Sequence, residues 1–496
     1  RSAATPAAAP DAAVASHWLR GPGRPALTRA LGLYRRWPLA WQVAWLAARQ
    51  RLVLPLYLLT VALGTGALVA WLPHARLPWA WPVMILLVWP ASEAVIALLH
   101  RLVSESTRPR PLARLALADG IGADQRVMVV IPGMFGSSHA IDDLAHRLQL
   151  HYLANPEAQA QFALLTDWSD ADTAHTPADP PLLAHAIRLI DELNTRHGRP
   201  GDAPGWSRFL LLHRERRYSS SERRWIGWER KRGKLEQLIA LLAASASPGA
   251  GSWPAAAPGS VQAEQAQPFI ELGAISRPGA GTRYLVTLDS DTQLPPGRLR
   301  ELVGVAAHPA NQPRLSADCK RVVAGYGILQ PRLVTPLPLP AEDTWFHRMF
   351  AGQSGIDPYS AASSEVYQDL FDEGSFTGKG LLDVVAMHAV LGGSLPEDQV
   401  LSHDLLEGAL ARCGAVTDIT LIEDAPFHAE VAASRVHRWT RGDWQLLPIL
   451  LRTSPFVPPP FASYPLGAVN RWKITDNMCR SLVTLISLLL VLMAVS

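Results

Sequence analysis

From Arg126 onward, apolar runs of strand length alternate with amphipathic runs of helix length. RVMVVIPG is a short apolar run ending in a turn, and AIDDLAHRLQLHYLA after it has helical periodicity. FALLTDW and LLAHAIRLIDELNTRH repeat the pair, then RFLLLHR and KLEQLIALLAAS repeat it again. A linker rich in Pro, Gly, Ala and Ser, Ser245 to Pro268, precedes one more apolar run, RYLVTLDSD. Strands alternating with helices predict a mainly parallel α/β sheet with helices on both faces. Ligands of such sheets bind beyond the carboxyl ends of the strands. Asp167, Asp289 and Asp291 fall at such ends.

The region before Arg126 reads differently. Leu52 to Leu72 is uncharged and long enough to span a bilayer. Trp79 to Leu99 is a second such run, interrupted by Pro82, Pro90 and Glu93. A buried core hairpin is the competing reading, but two near-spanning runs back to back favour a membrane hairpin. Trp71, Trp79 and Trp81 cluster at the hinge PHARLP, as aromatic belts do. Arg35, Arg36, Arg49 and Arg51 precede the first run, and Arg101, Arg108, Arg110 and Arg114 follow the second. The positive-inside rule then places both flanks in the cytoplasm. Glu93 is either functional, or snorkels, or faces a helix bundle. The Ala/Pro-rich start, 1–16, is expected to be disordered. The run from Ser481 to Ser496 reads as the truncated start of a further membrane helix, so the chain is expected to be a fragment. The expected organisation is an N-terminal segment over 1–50, a hairpin over 51–100, a catalytic domain over 101–465, and an interfacial segment with that helix start over 466–496.

Composition narrows this. The 496 residues are 48% hydrophobic, high for a purely soluble protein. A net charge of +3 gives no reason to expect a nucleic-acid partner. Cys319, Cys413 and Cys479 lack metal-type spacing and form no disulfide framework.

Five stretches carry candidate chemistry. YLVTLDSDTQLPPG puts two acids, Asp289 and Asp291, at the tip of an apolar strand. On a strand, residues two apart face the same way. The pair suits a hard cation held by oxygen; a solvated acidic loop is the alternative. WERKRGKLEQL is a basic run opening a helix, suited to phosphate or simply a solvated face. GSFTGKG is a glycine turn around Lys379. SHDLLEG starts a helix at Asp404, where an N-cap explains the aspartate equally well. SRVHRWTRGDWQLLP packs Arg435, His437, Arg438, Trp439, Arg441 and Trp444 closely. That suits phosphate and a sugar face, or a helix lying on a membrane.

In this order the motifs resemble those of a GT-A, processive family 2-like glycosyltransferase. More closely, the chain resembles the glucosyltransferase portion of bacterial cyclic β-1,2-glucan synthases, through IDDLAHRLQLHYLANP, FALLTDWSDA, WIGWERKRGKLEQL, LDSDTQLPPG, GYGILQPR, GIDPYSAASSEVYQDLFDEGSFTGKG, LSHDLLEG and RVHRWTRGDWQLLP. The resemblance implies a GT-A catalytic domain with transmembrane helices in the bacterial inner membrane. It implies UDP-glucose as donor and a growing β-1,2-glucan as product. Asp167, Lys231, Asp289, Asp291 and Arg438 would bind the donor, and Asp289 with Asp291 would hold Mg2+ or Mn2+. Phe376, Thr377, Gly378, Lys379 and Trp439 would line the acceptor site, and Asp404 would be the general base. Arg435 stands where the broader Q-x-x-R-W pattern has Gln, and Gly133 where a Thr is expected. Full-length members also carry a C-terminal phosphorylase-like domain. A processive synthase of another β-linkage and a catalytically silent glucan-binding subunit are the alternatives.

Overall fold

The computed structural model describes residues 15–19, 23–31, 39–71, 80–106, 111–198, 206–245, 268–336, 344–350, 365–400, 404–424, 426, 428–451 and 464–495. Of the start expected to be disordered, 1–16, residues 1–14 lie outside these residues, as do the hinge PHARLP and the body of the 245–268 linker, while Ala15 and Ser16 differ from that expectation and open a short helix, Ala15–Leu19.

The helices in chain order are α1 (Ala15–Leu19), α2 (Arg24–Ala30), α3 (Leu39–Trp71), α4 (Ala80–Ser106), α5 (Ser138–Ala154), α6 (Asp179–His197), α7 (Arg230–Ser245) and α8 (Arg298–Ala307). They continue as α9 (Trp345–Phe350), α10 (Val366–Phe371), α11 (Val384–Leu391), α12 (Asp404–Ala411), α13 (Ala429–Gln445), α14 (Leu447–Leu450) and α15 (Ala468–Val495). The strands are β1 (Val127–Phe135), β2 (Ala160–Trp168), β3 (Phe209–Arg214), β4 (Arg217–Ser219), β5 (Arg224–Ile226), β6 (Tyr284–Thr287), β7 (Thr292–Gln293), β8 (Arg314–Leu315), β9 (Val322–Ala324), β10 (Ile328–Val334), β11 (Gly380–Asp383) and β12 (Cys413–Glu423).

Eight of these strands form one sheet in the order β3-β2-β1-β6-β11-β10-β12-β7. The β3-β2-β1-β6 half is parallel throughout. β11 runs antiparallel to both β6 and β10, and β7 antiparallel to β12. Period-two alternation divides each central strand between two cores. Val127, Val129 and Ile131 of β1 pack with Ile141 and Leu148 of α5 and Ile190 of α6. Met128 and Val130 face the other way, into a core with Leu235 and Leu238 of α7, Leu406 of α12 and Ile474 of α15. Both faces are covered, which is why these strands read as continuous apolar runs.

The chain steps outward from β1 to β2 and β3, then returns to place β6 on the other side of β1. This reversal opens a crevice at the carboxyl ends of β1 and β6, the place where such sheets bind ligands. The mixed, mainly parallel sheet with flanking helices is the α/β architecture expected from the sequence, and it is consistent with a GT-A domain.

Among the described residues three helices are long and apolar enough to cross a membrane: Arg51–Trp71, Ala80–Ser106 and Ala468–Val495. The third differs from the sequence-based expectation of a short start near Ser481. Its first four turns carry Asn470, Lys473, Asp476 and Arg480, which interrupt any apolar pattern. They stay helical because Asn470, Lys473, Ile474 and Asp476 are buried against the sheet domain and the other helices. Glu93 of α4 faces the bundle, 3.4 Å from Arg480 of α15. Tyr57 of α3 and His100 of α4 share a hydrogen bond of 2.9 Å beside Phe371 of α10 and Trp472 of α15.

Candidate active site

The two acids that follow β6 do not extend its strand. The Thr292 amide donates to the Asp289 carbonyl (3.1 Å), and the Asp289 amide donates to the Thr292 hydroxyl (3.3 Å). The chain thus turns at 289–292 and re-enters the sheet as β7, where Thr292 pairs with Glu423 at the end of β12. The turn brings Asp289 and Asp291 together, and the β7–β12 pairing adds Glu423. One carboxylate oxygen from each lies within 4.8 Å of the others. The strand-alternation argument expected the convergence; a tight turn produces it.

Three cations meet these three acids. Lys231, in the first turn of α7, lies 2.5 Å from Asp289 Oδ1 and donates to the Gly378 carbonyl at 2.9 Å. Lys379 immediately precedes β11, and the antiparallel pairing of Gly380 with Thr287 delivers it opposite the Asp289 turn. Its Nζ lies 3.1 Å from Asp289 Oδ2 and 2.7 Å from Glu423 Oε2. Arg435 of α13 lies 3.2 Å from Asp291 and 3.8 Å from Glu423. Burial pushes the Asp289 carboxyl up, but Lys231 and Lys379 outweigh it and hold it at about 2. Burial raises Glu423 above the usual carboxylate range despite Lys379. Burial would lower Lys379, yet Asp289 and Glu423 carry it above the ordinary lysine range.

Next to this network lies an open cleft with about 540 Å³ of empty space, lined by Lys231, Glu236, Phe376, Gly378, Asp404 and Glu407 among others. Asp404 opens α12. Gly378 has a φ of +83°, and a Cβ there would lie 3.0 Å from the Asp404 carboxylate. Only glycine combines that backbone conformation with so close an approach. Phe376 is buried and forms part of the cleft wall, while Thr377 directs both its amide and its hydroxyl to Gln330.

Asp167 sits near the end of β2 with 2% of its surface exposed. Its oxygens pair with Arg214 (2.6 Å) and Lys234 (2.8 Å), and Gly227 covers it closely. Burial favours its neutral form, but Lys234 and Arg214 prevail and hold its pKa below the usual range. Removing one partner of so buried a pair typically costs about 3–5 kcal/mol, so Asp167 supports the floor of the crevice. In this structure Asp167 turns its carboxylate to Arg214 and Lys234 and not to the open cleft.

Arg438 and Trp439 are exposed on α13. They stand three and four residues beyond Arg435, hence on its side of the helix, and the Arg435 guanidinium lies 5.8 Å from the Trp439 ring centre. The arginine that meets the acids is therefore Arg435, one turn before the Arg-Trp pair. Glu423 escapes motif reading, whereas Arg435 and Lys234 lie inside the two basic stretches without their acidic partners being legible there. Glu423 depends on long-range strand pairing, and Lys234 was legible only as the i+3 neighbour of Lys231.

Asp443, also on α13, couples this region to α15. Burial pushes its carboxyl up to about 6; a hydrogen bond from Asn477 and the charge of Arg480 oppose the rise, and Asp404 adds to it. For an acid raised on folding, the unfolded chain releases its proton first as pH rises. Stability is then lost between the ordinary aspartate value near 4 and about 6. Asp443→Asn should therefore raise the thermal midpoint at pH 7.5 and leave it nearly unchanged at pH 4. Equal shifts at both pH values would remove the titration from the account.

No family model matches this chain. A curated relative, the cyclic beta-(1,2)-glucan synthase NdvB of Rhizobium meliloti (strain 1021), is 41% identical to it over 400 residues. The match covers 81% of this chain and 13% of the relative, so the chain spans only a small part of that protein's length. At that identity, and with the α/β sheet domain and apolar helices described above, the chain belongs to the cyclic β-(1,2)-glucan synthase family.

Proposed function

We propose that the chain is the glucosyltransferase segment of a membrane-bound synthase that polymerises glucose from UDP-glucose into β-1,2-glucan, feeding cyclic glucan synthesis. The observation that carries this reading is the convergence of Asp289, Asp291, Glu423, Lys231, Lys379 and Arg435 at the sheet's switch point, beside the cleft that holds Asp404. Cations near a crevice suit a diphosphate. Carboxylate oxygens alone suit a hard cation, so the donor set fits Mg2+ or Mn2+. Asp289 and Asp291 would hold such an ion, which when bound would offset charge on the leaving diphosphate.

The donor is α-linked and the product β, so a single in-line displacement inverts C1. Asp404 accepts the proton of the acceptor 2-hydroxyl as that oxygen attacks. Lys231, Arg435 and Arg438 stabilise the departing UDP electrostatically. Trp439 offers its exposed face to the acceptor sugar, and Phe376, Gly378 and Lys379 shape the acceptor side of the cleft. The arginine-rich flanks favour a bacterial inner-membrane protein with this domain in the cytoplasm. A C-terminal phosphorylase-like domain would complete the full-length protein and set ring size.

The test is incubation of membranes carrying the chain with radiolabelled UDP-glucose, followed by linkage analysis. Incorporation into β-1,2-linked glucan is the expected result. Label in another β-linkage would make the chain a different synthase. No incorporation, with glucan still bound, would make it a silent subunit.

A further inference from the structure

The segment 372–379 has neither helix nor strand, yet it ends at Gly378 against Asp404. A segment without regular structure needs its main-chain polar groups satisfied by other means. At its start the partner comes from the membrane helix α15. Lys473 is 3% exposed, and its ammonium donates to the carbonyls of Gly374 (2.8 Å) and Glu373 (3.1 Å). The same nitrogen lies 4.9 Å from the centre of the Tyr367 ring. One turn earlier, Asn470 donates to the Glu373 carboxylate at 2.7 Å. Burying an ammonium is costly, and helix packing alone would be served by an apolar residue such as the adjacent Ile474. The charge at 473 is therefore placed for the two carbonyls.

The helix that carries Lys473 is itself tied to the hairpin. Arg480 lies 2.6 Å from Asp476 on its own helix and 3.4 Å from Glu93 of α4. The turn that carries Asp289 and Asp291, by contrast, follows β6, and Lys231 comes from α7, whereas Arg435 and Arg438 sit on α13, which also packs on α15. The acids and Lys231 thus have a support that does not pass through Lys473.

We infer that Lys473 is a positioning residue for acceptor use: by fixing the start of the 372–379 segment, it sets Gly378 and the cleft wall against Asp404 and couples the third apolar helix to transfer. This inference rests on the transferase reading above.

The test uses the full chain in membranes with radiolabelled UDP-glucose, reading UDP affinity, total UDP release, and label in glucan against label in free glucose. Lys473→Met keeps the length and packing of the side chain and removes the ammonium. It should keep UDP affinity within about twofold and lower glucan incorporation by about 10–10²-fold, since small misplacement of reacting groups costs rate on that scale. The share of turnover lost to free glucose should rise. Lys473→Arg, which can still donate to both carbonyls, should recover much of the incorporation. Unchanged incorporation in Lys473→Met, a parallel fall in UDP affinity and transfer, or no recovery in Lys473→Arg would each overturn the inference. If the parental chain releases no UDP, the transferase reading itself fails, a result distinct from any of these.

Discussion

Asp404→Asn should reduce glucan synthesis by about 10²–10⁴-fold, the usual contribution of general-base catalysis, while leaving the protein folded and able to bind UDP. The substitution isolates one property. Asparagine caps a helix about as well as aspartate, so α12 keeps its start whichever role Asp404 plays there. What is lost is the ability to take a proton. Asp404 lines the cleft beside Lys231 and touches Gly378, the glycine whose carbonyl Lys231 holds. It therefore stands at the junction of donor and acceptor halves, where the attacking hydroxyl must lose its proton. Measured together, UDP affinity and initial transfer rate separate the outcomes. Near-parental elongation would reduce Asp404 to a cap and move the base to Glu407, one turn along α12 in the same cleft.

Much of this arrangement could be read from the chain, because local periodicity carries it. The strands β1, β2, β3 and β6 are buried on both faces and show as apolar runs, and α5, α6 and α7 show as amphipathic helices between them. Asp289, Asp291 and Lys231 stand at strand or helix ends, which local pattern marks well. What could not be read depends on pairings between distant segments. Glu423 reaches the acids only because β12 pairs with a two-residue strand that follows their turn. Lys379 reaches Asp289 only because β11 runs antiparallel to β6. Arg435 read as a departure from the Q-x-x-R-W pattern, yet it is the member of that helix paired with Asp291. The polar turns of α15 hid its true start for a related reason. Their charges are satisfied by Glu373, Gly374 and Glu93, contacts that no window of sequence contains.

Asp291→Ala should abolish transfer, by about 10²–10³-fold or more on the scale of lost electrostatic stabilisation at a reacting centre, and an excess of chelator should do the same to the parental chain. Of the two acids in the turn, Asp291 is the cleaner probe. Asp289 neutralises both Lys231 and Lys379, so its removal leaves two cations crowded together and confuses binding with folding. Asp291 pairs with Arg435 alone among the three cations, and Arg435 has Glu423 within 3.8 Å to fall back on. The fold should therefore survive, and the thermal midpoint should move little. If Asp291 helps to hold a divalent ion, the variant should also need a higher Mg2+ or Mn2+ concentration for half-maximal UDP binding, measured by titrating the metal at fixed UDP. A purely ionic role for the turn, holding α13 in place through Arg435, predicts the opposite pattern: chelation without effect, and loss of activity in Asp291→Ala that no metal concentration alters. Full activity of the parental chain in excess chelator would remove the metal from the mechanism and leave Lys231, Arg435 and Arg438 as the charges that meet the leaving diphosphate.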